Sequence, residues 1–370
     1  MFTYLVHDLL TRQLIAALDL TGVSFSDPLT GAGQLGATLV IDPEADFNVL
    51  RRAVDLDRAA IYVVSGRSIL WCGVIVAAPY DHSAGTIAIT AVQMSSWLAD
   101  RLHGTGTTDT KWTAKDQLQI ARELVTYAQT GLGCPSIRVG AETSGVNRDL
   151  TITAQSFVAI DGLIDGMAKA TNGFDWSISA RFAAADGLPE LYLGLYYPER
   201  KSGSSGLLFF SNDSKGGNIQ GFTWPNDASQ RKTRVWALGD GDVPKMMTAS
   251  DTDPEVAAGR RLLREKTTSY TGKGITKAET LASNARAERL AISDTVGTAT
   301  IDLMVDNPTV ASYVVGDRAR IRLQDMWLNV DLPDVRIIDR SIHDEDRAQT
   351  AQVTLTLDVS DYDLPQDAEV

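Results

Sequence analysis

58-RAAIYVVSGRSILWCGVIVAAPYDHSAGTIAITAVQ-93 is the stretch on which the fold turns. Residues 59–64 are apolar and β-branched, and Ser65-Gly66-Arg67 supplies a turn. Residues 69–77 (ILWCGVIVA) return, residues 79–85 break the run, and 86–92 (TIAITAV) go out again. β-branched and aromatic residues fill the runs, while Gly, Ser, Asp and Pro fill the gaps, which predicts a three-strand meander. Ile87, Ile89 and Ala91 alternate with Thr86, Ala88 and Thr90, the period of a half-buried strand.

A second stretch repeats the design. Residues 317–323 (DRARIRL) put Ala319, Ile321 and Leu323 on one face and Arg318, Arg320 and Arg322 on the other. Gln324-Asp325 turns the chain, 327–330 and 334–340 return, 343–347 (HDEDR) form a polar tip, and 352–358 (QVTLTLD) close. Each meander carries a tryptophan in its expected second strand, Trp71 and Trp327. The repeat is architectural, without residue-level identity, and predicts two separate look-alike β units.

Working outward, 12–22 reads as a first strand, 23–33 as its Gly/Ser/Asp/Pro-rich loop, 34–42 as an alternating strand and 47–54 as a short helix or turn. Residues 1–100 therefore form one β domain, a small barrel or curled sandwich. The pattern then changes. A short helix is expected over 94–102 and a polar linker over 105–110. Thr113 with Asp116 resembles a capping box ahead of the stripe Leu118, Ala121, Leu124, Val125, Ala128. Ser156 is expected to cap a second helix bearing Ile160, Leu163, Ile164 and Met167, stopped by Asn172-Gly173. Strands follow over 174–182, 191–197 and 206–210, so 101–212 reads as an α+β domain.

Residues 219–224 and 232–238 return to strand pattern. Asp253-Pro254 marks a helix start, and Thr276 with Glu279 a second capping box before Ala278, Leu281, Ala282, Ala285 and Ile292. The expected order is a second β domain in two pieces, 213–245 and 293–360, interrupted by a helical insertion at 246–292 and followed by an acidic tail at 361–370. The fold class is mainly β with α+β insertions.

Composition bounds the function. The chain has 370 residues, 44% hydrophobic, enough for two or more domains. It carries 34 Lys and Arg against 47 Asp and Glu, a formal charge of −13, which opposes tight binding to nucleic-acid phosphates. Two cysteines, Cys72 within an apolar strand and Cys134 before a proline, make no disulfide framework. The N-terminus lacks a signal-peptide pattern and no run has the length of a membrane span, so synthesis and folding in a cytoplasm are expected.

Chemistry-bearing motifs are weak. His7, His82, His103 and His343 lie in no metal-ligand spacing. His343-Asp344-Glu345-Asp346 offers oxygens to a cation but lacks the spacing and glycine of a calcium loop. Gly239-Asp240-Gly241-Asp242 follows a strand yet lacks a full phosphate-loop pattern, and Gly104-Thr105-Gly106-Thr107-Thr108 reads as linker. The carboxylate pairs Asp116 and Glu123, Asp161 and Asp165, Asp186 and Glu190 are background in an acidic chain. No nucleophile elbow appears, so no catalytic, cofactor-binding or metal residue is singled out and an enzyme is not expected. The arginine face of 317–323 suits either a partner or solvent. Trp176, Tyr192, Tyr196 and Tyr197 suit packing or a glycan platform.

Five segments together resemble the central hub, or minor tail, proteins of phage tails. They are LTGVSFSDPLTGAGQLGATLVIDP (20–43), AAIYVVSGRSILWCGVIVAA (59–78) with its W-x-G hairpin, NGFDWSISARF (172–182), RVWALGDGD (234–242) and YVVGDRARIRL (313–323). The resemblance covers nearly the whole chain. It implies two tail-tube-like β-barrel domains per chain and a homotrimer forming a pseudo-sixfold ring at the distal end of a siphophage tail. That ring would convert six-fold tube to three-fold tip symmetry and line the DNA channel. Implied partners are the distal tail protein, other tail-tip or baseplate proteins and the tape measure protein. DNA would pass the lumen without specific binding, and no cofactor is implied. The implied location is the virion, after synthesis in the bacterial host. With no lytic extension after residue 360, wall degradation is not expected. The alternatives are a cell-wall hydrolase or a receptor- or glycan-binding tail component.

Overall fold

In the computed structural model the described residues are 2–201, 208–213, 216–224, 231–239, 241, 245–270, 278–293, 298–344 and 351–359. The chain divides into two compact units. One is Met1–Gly221 with Ile301–Leu357, and the other is built on Phe222–Thr300.

The first unit begins with β1 (Phe2–Asp8), β2 (Leu14–Leu18), β3 (Leu20–Pro28), β4 (Gln34–Val40), α1 (Phe47–Ala53), β5 (Ala59–Ser65), β6 (Ser68–Ala77), β7 (Tyr80–Asp81) and β8 (Thr86–Gln93). The expected meander is present: β5 pairs antiparallel with β6, and β6 with β8. β5 reads as a continuous apolar run because both faces are covered. Ala60, Tyr62 and Val64 pack in a cluster with Leu118, Leu124 and Ile164 of the helical region, while Ile61 and Val63 are buried on the alternate positions. Gly73 completes W-x-G for a steric reason. A Cβ there would lie 2.4 Å from the Trp71 ring and 2.4 Å from the Val92 carbonyl oxygen.

Two differences stand out here. Residues 23–33, expected as a loop, hold most of β3, with Leu20, Val23 and Phe25 buried. A register shift between Thr21 and Ser24, with Gly22 at φ +56°, moves the alternation by one residue, and the serines between the apolar positions mimic a loop. Phe2–Asp8, for which the pattern expects no element, is an inner strand between β2 and β5.

The α+β region comprises β9 (Leu102–His103), β10 (Thr110–Asp116), α2 (Gln117–Ala128), β11 (Ile137–Arg138), β12 (Asn147–Ile152), β13 (Val158–Ala159), α3 (Ile160–Ala168), β14 (Asp175–Phe182) and β15 (Pro189–Tyr196), after a 3-10 turn at Met94–Asp100. The α2 stripe is buried as expected. Its cap is Asp116, not Thr113: Asp116 Oδ1 accepts from the Leu118 and Gln119 N–H groups, and 113–116 is extended because β10 pairs with β12. Ser156 does not cap α3, whose N-cap position is Ala159 with no side-chain bond.

β16 (Leu208–Ser211), β17 (Ile219–Thr223), β21 (Thr298–Met304), β22 (Arg318–Gln324), β23 (Asn329–Asp344) and β24 (Gln352–Asp358) make the other half of the large sheet. β23 spans 16 residues and pairs with two of its neighbours in succession. Its first half pairs with β22, from Gln324↔Asn329 to Arg318↔Arg336, and its second half pairs with β3, from Asp339↔Pro28 to Asp344↔Val23. The two meanders therefore lie in one 14-stranded sheet, ordered β17-β21-β24-β23-β3-β4-β8-β6-β5-β1-β2. The expectation of two separate units is corrected, and among the described residues the sheet is an open path, not closed into barrels. The reason is length: β23 outruns β22 and offers its remaining edge to β3. Trp327 is also not in a strand but in the turn before β23, fully unlike the buried Trp71.

The second unit holds β18 (Arg234–Leu238), β19 (Thr248–Thr252), α4 (Pro254–Ala257), β20 (Glu265–Ser269) and α5 (Ala278–Ser293). β18, expected within the second β domain, pairs instead with β19 and β20. The stretch expected as a helical insertion, 246–292, thus holds two strands besides α4 and α5; the strands join β18 in a three-stranded sheet, and Leu281 and Ala285 of α5 pack on Ala237. Asp253 caps α4 as expected, but the helix stops after four residues. Thr276, the 202–206 tip, 225–230 and the 361–370 tail lie outside the described residues.

Candidate assembly surfaces

The arginine face of β22 is met by carboxylates of the same chain. Arg320 binds Asp331 bidentately, with Nε–Oδ1 at 2.8 Å and Nη2–Oδ2 at 2.6 Å. Arg318 reaches Glu199 through Nε and Nη2 at 3.1 and 3.2 Å, and Asp334 through Nη1 at 3.1 Å. The hydrogen bond from Arg318 draws the Glu199 carboxyl below its usual range. Arg336 pairs with Asp175. The cations of Arg318 and Arg320 are thus neutralised locally.

At the end of that hairpin, Asp325–Leu328 form a tight turn. Asp325 N–H donates to the Leu328 carbonyl at 2.8 Å, and Asp325 Oδ1 accepts from the Trp327 and Leu328 N–H groups at 2.7 Å each. The turn is ordered by its own backbone, yet its two corner residues are Met326 and Trp327, 104% and 88% exposed. Two adjacent large apolar side chains are thus held in water on a built turn.

The joint between β3 and β23 is polar and buried. Arg340 Nη2 approaches Asp27 Oδ2 at 3.3 Å, and Arg340 Nη1 donates to the carbonyls of Val310 and Tyr313 at 3.1 and 3.2 Å. Gln93 Nε2 donates to Asp27 Oδ1 at 2.9 Å while its Oε1 accepts from the Gly33 N–H at 2.7 Å. Trp71 Nε1 donates to the Ser26 carbonyl at 2.8 Å. Burial pushes the neighbouring Asp339 carboxyl up from its ordinary value.

Across this joint the face opposite the core carries short polar side chains. The register places His343, Ser24, Gly36 and Thr90 in one row over β23, β3, β4 and β8. Strands β1 to β8, β21 and β24 contain no lysine or arginine at all.

Among the described residues, those singled out in the sequence are placed apart and engaged by other partners. Asp116 caps α2, and Glu123 accepts from Trp112 and Lys115. Asp165 binds Trp176 and Lys169, Asp186 binds Arg12, and Glu190 binds Arg181. Asp161 accepts from the Gly162 N–H. His103 is buried against Tyr127 at 4.1 Å between ring centroids, and His7 edges onto Tyr62. His82 lies in an exposed tip beside Tyr80, and Glu345 and Asp346 lie outside the described residues, as do Asp240 and Asp242. Among the described residues no group of three or more His, Cys, Asp or Glu is placed to hold a metal ion. No helix there is long and apolar enough to cross a membrane. Cys72 is buried and its thiol is pushed up to about 12 by burial, which disfavours the reactive thiolate. Trp176 and Tyr196 are engaged by Asp165 and by the Arg200 guanidinium, which is packing and not an open sugar platform. The residues that sequence reasoning missed are Met326 and Arg340; the mismatch between Asp325's turn chemistry and the apolar pair after it was the available signal for the first.

No family model matches the chain, and no curated protein matches it by sequence. Solved structures do match. The 43 kDa tail protein of prophage MuSo2 from Shewanella oneidensis superposes with a TM-score of 0.60 at 13% identity, covering 96% of this chain and 98% of that one. The chain has the fold of a prophage tail protein. The tail protein from Neisseria meningitidis MC58 gives 0.57 at 15% identity, with 96% of both chains covered. A chain of the half-lidded Francisella PdpA–VgrG complex gives 0.56 at 7% identity, covering 100% of this chain and 59% of that one. The resemblance to phage tail proteins read from the sequence segments holds at the level of fold.

Proposed function

We propose that this chain is a structural component of a phage tail, acting as the trimeric hub at its distal end. The observation that carries the reading is β23: one strand serves two β halves, so each copy brings two sheet wings and three copies bring six, the number a six-fold tube presents. The fold shared with prophage tail proteins supports it. The open sheet ends, β2 and β17, are edges that a neighbouring copy would pair, closing barrels that a single chain leaves open. The exposed Met326–Trp327 turn suits contact with another copy or with tail-tip partners, including the distal tail and tape measure proteins. The lysine- and arginine-free strands suit a channel wall, because DNA phosphates find no cations to hold them. The reading is that of a non-enzymatic virion protein.

Native mass measurement and an averaged map of the assembled tail tip test it. Three copies of the chain around the tip axis are expected. A tip map without a three-fold arrangement of this chain overturns the reading, and a positive potential along the bore overturns the channel assignment alone.

A further inference from the structure

A cavity of about 200 Å³ lies where β3, β6 and β23 meet the β14–β15 hairpin. Asp27, Gln93, Tyr192, Arg200, Tyr313 and Arg340 are among the residues lining it. Two guanidiniums therefore face one carboxylate, and the buried Cys72 thiol adjoining them stays neutral. Among the lining residues, the buried atoms without a partner are a hydroxyl and a guanidinium nitrogen, both able to donate. Tyr313 is fully buried and its hydroxyl has no protein partner. Arg340 is 3% exposed, and its two terminal nitrogens are taken by Asp27 and three carbonyls, but its Nε has no protein partner. Arg200, also buried, lays its guanidinium over the Tyr196 ring, which leaves its in-plane N–H groups directed away from that ring. Buried polar groups of this kind are normally satisfied, and here the excess is of donors and of positive charge.

We propose that this cavity is a binding site for a small oxyanion of phosphate size. Such a ligand offers negative charge and several acceptor oxygens, which suits the unpaired donors of Tyr313 and Arg340 beside two guanidiniums and one carboxylate. The volume exceeds that of several waters at about 30 Å³ each, so a tetrahedral oxyanion fits with room for bridging water. The cavity's lining comes from separate parts of the sequence: Asp27's strand, the β14–β15 hairpin, the 310–314 turn and β23. The oxyanion would clamp the hairpin to the sheet joint. This assignment does not depend on the hub reading.

The test is thermal unfolding and calorimetric titration of the purified full chain with inorganic phosphate, at fixed ionic strength set with sodium chloride. A saturable rise in midpoint with phosphate, with matching heats of binding, is expected. Tyr313→Phe removes one donor without changing the ring; it is expected to keep the circular dichroism of the parent and weaken phosphate binding about tenfold, the effect of losing one bond to a charged group. Arg200→Gln is the second variant, expected to weaken binding at least as much, and serves if Tyr313→Phe does not fold. A parent chain whose midpoint does not respond, or responds equally to chloride, overturns the proposal. So does an undiminished response in both variants, or a crystal structure grown in phosphate with only water in the cavity.

Discussion

Arg340 of β23 and Asp27 of β3 form an ion pair at 3.3 Å, with 3% and 9% of their surfaces exposed, at the point where the two halves of the sheet become one. Two residues 313 positions apart thus hold the register that joins the meanders. Removing one partner leaves the other charged and buried. Arg340→Met is expected to cost about 3–5 kcal/mol, and the double variant with Asp27→Asn less than the sum of the singles. Urea unfolding midpoints of the four proteins measure this; a single-variant loss under about 1 kcal/mol would contradict a structural role for the pair.

Gly73→Ala tests the W-x-G hairpin. The added Cβ meets the Trp71 ring and the backbone carbonyl of Val92, each at 2.4 Å, and the carbonyl belongs to a paired strand that cannot yield cheaply. A loss of about 1–3 kcal/mol is expected from overpacking, read from the same unfolding curves. Gly66→Ala, where nothing lies within 4 Å of the new Cβ but φ is +59°, separates backbone strain from steric conflict.

Acid should weaken the first unit through its buried histidines. His103 Nδ1 accepts from the Gly104 N–H at 2.7 Å, so that nitrogen cannot carry a proton, and burial holds His103 below its ordinary value of 6.5. Burial likewise lowers His7. A folded value below the unfolded one means the unfolded chain takes up protons first. Their contribution is therefore complete above pH 6.5 and is lost as pH falls through the lowered folded values. Unfolding free energy measured from pH 7.5 to 5 should decline, and His103→Phe should flatten part of the slope. An equal slope in parent and variant would show that other groups carry it.

Trp327→Ala separates folding from assembly. The side chain is 88% exposed, so unfolding free energy should change by no more than about 0.5 kcal/mol. Self-association, followed by sedimentation, or incorporation into tails should fall about tenfold or more if the turn anchors an interface. Loss of stability with no change in assembly would reverse the assignment.

Local patterns in the chain disclosed local structure. The alternation of 86–92 and 352–358, and the stripe from Leu118 to Ala128, map onto β8, β24 and α2. Elements failed to show where a local rule was broken. Gly22 inserts one residue into β3 and moves its parity. β19 (TASDT) and β20 (EKTTS) carry little apolar alternation, so the unit around α5 read as helical. Thr113 and Asp116 hold the spacing of a cap, but a strand occupies 110–116 and Asp116 alone turns the chain. The shared sheet was beyond reach for a different reason. Pairing of 23–28 with 339–344 is set by the surplus length of one strand and by a pair of buried charges, and neither leaves a periodic trace. Of the candidate surfaces, the arginine row was legible; its capture by Glu199, Asp331 and Asp334 was not, because those partners come from other elements.

The double engagement of β23 also has a mechanical meaning. A load applied at the Met326 corner enters the same continuous backbone that, a dozen residues later, is laced to β3. Tension would shear both ladders in series instead of peeling one away. Contact made at one extremity of a copy is therefore carried toward the other half along one covalent strand, as along the single beam of a lever.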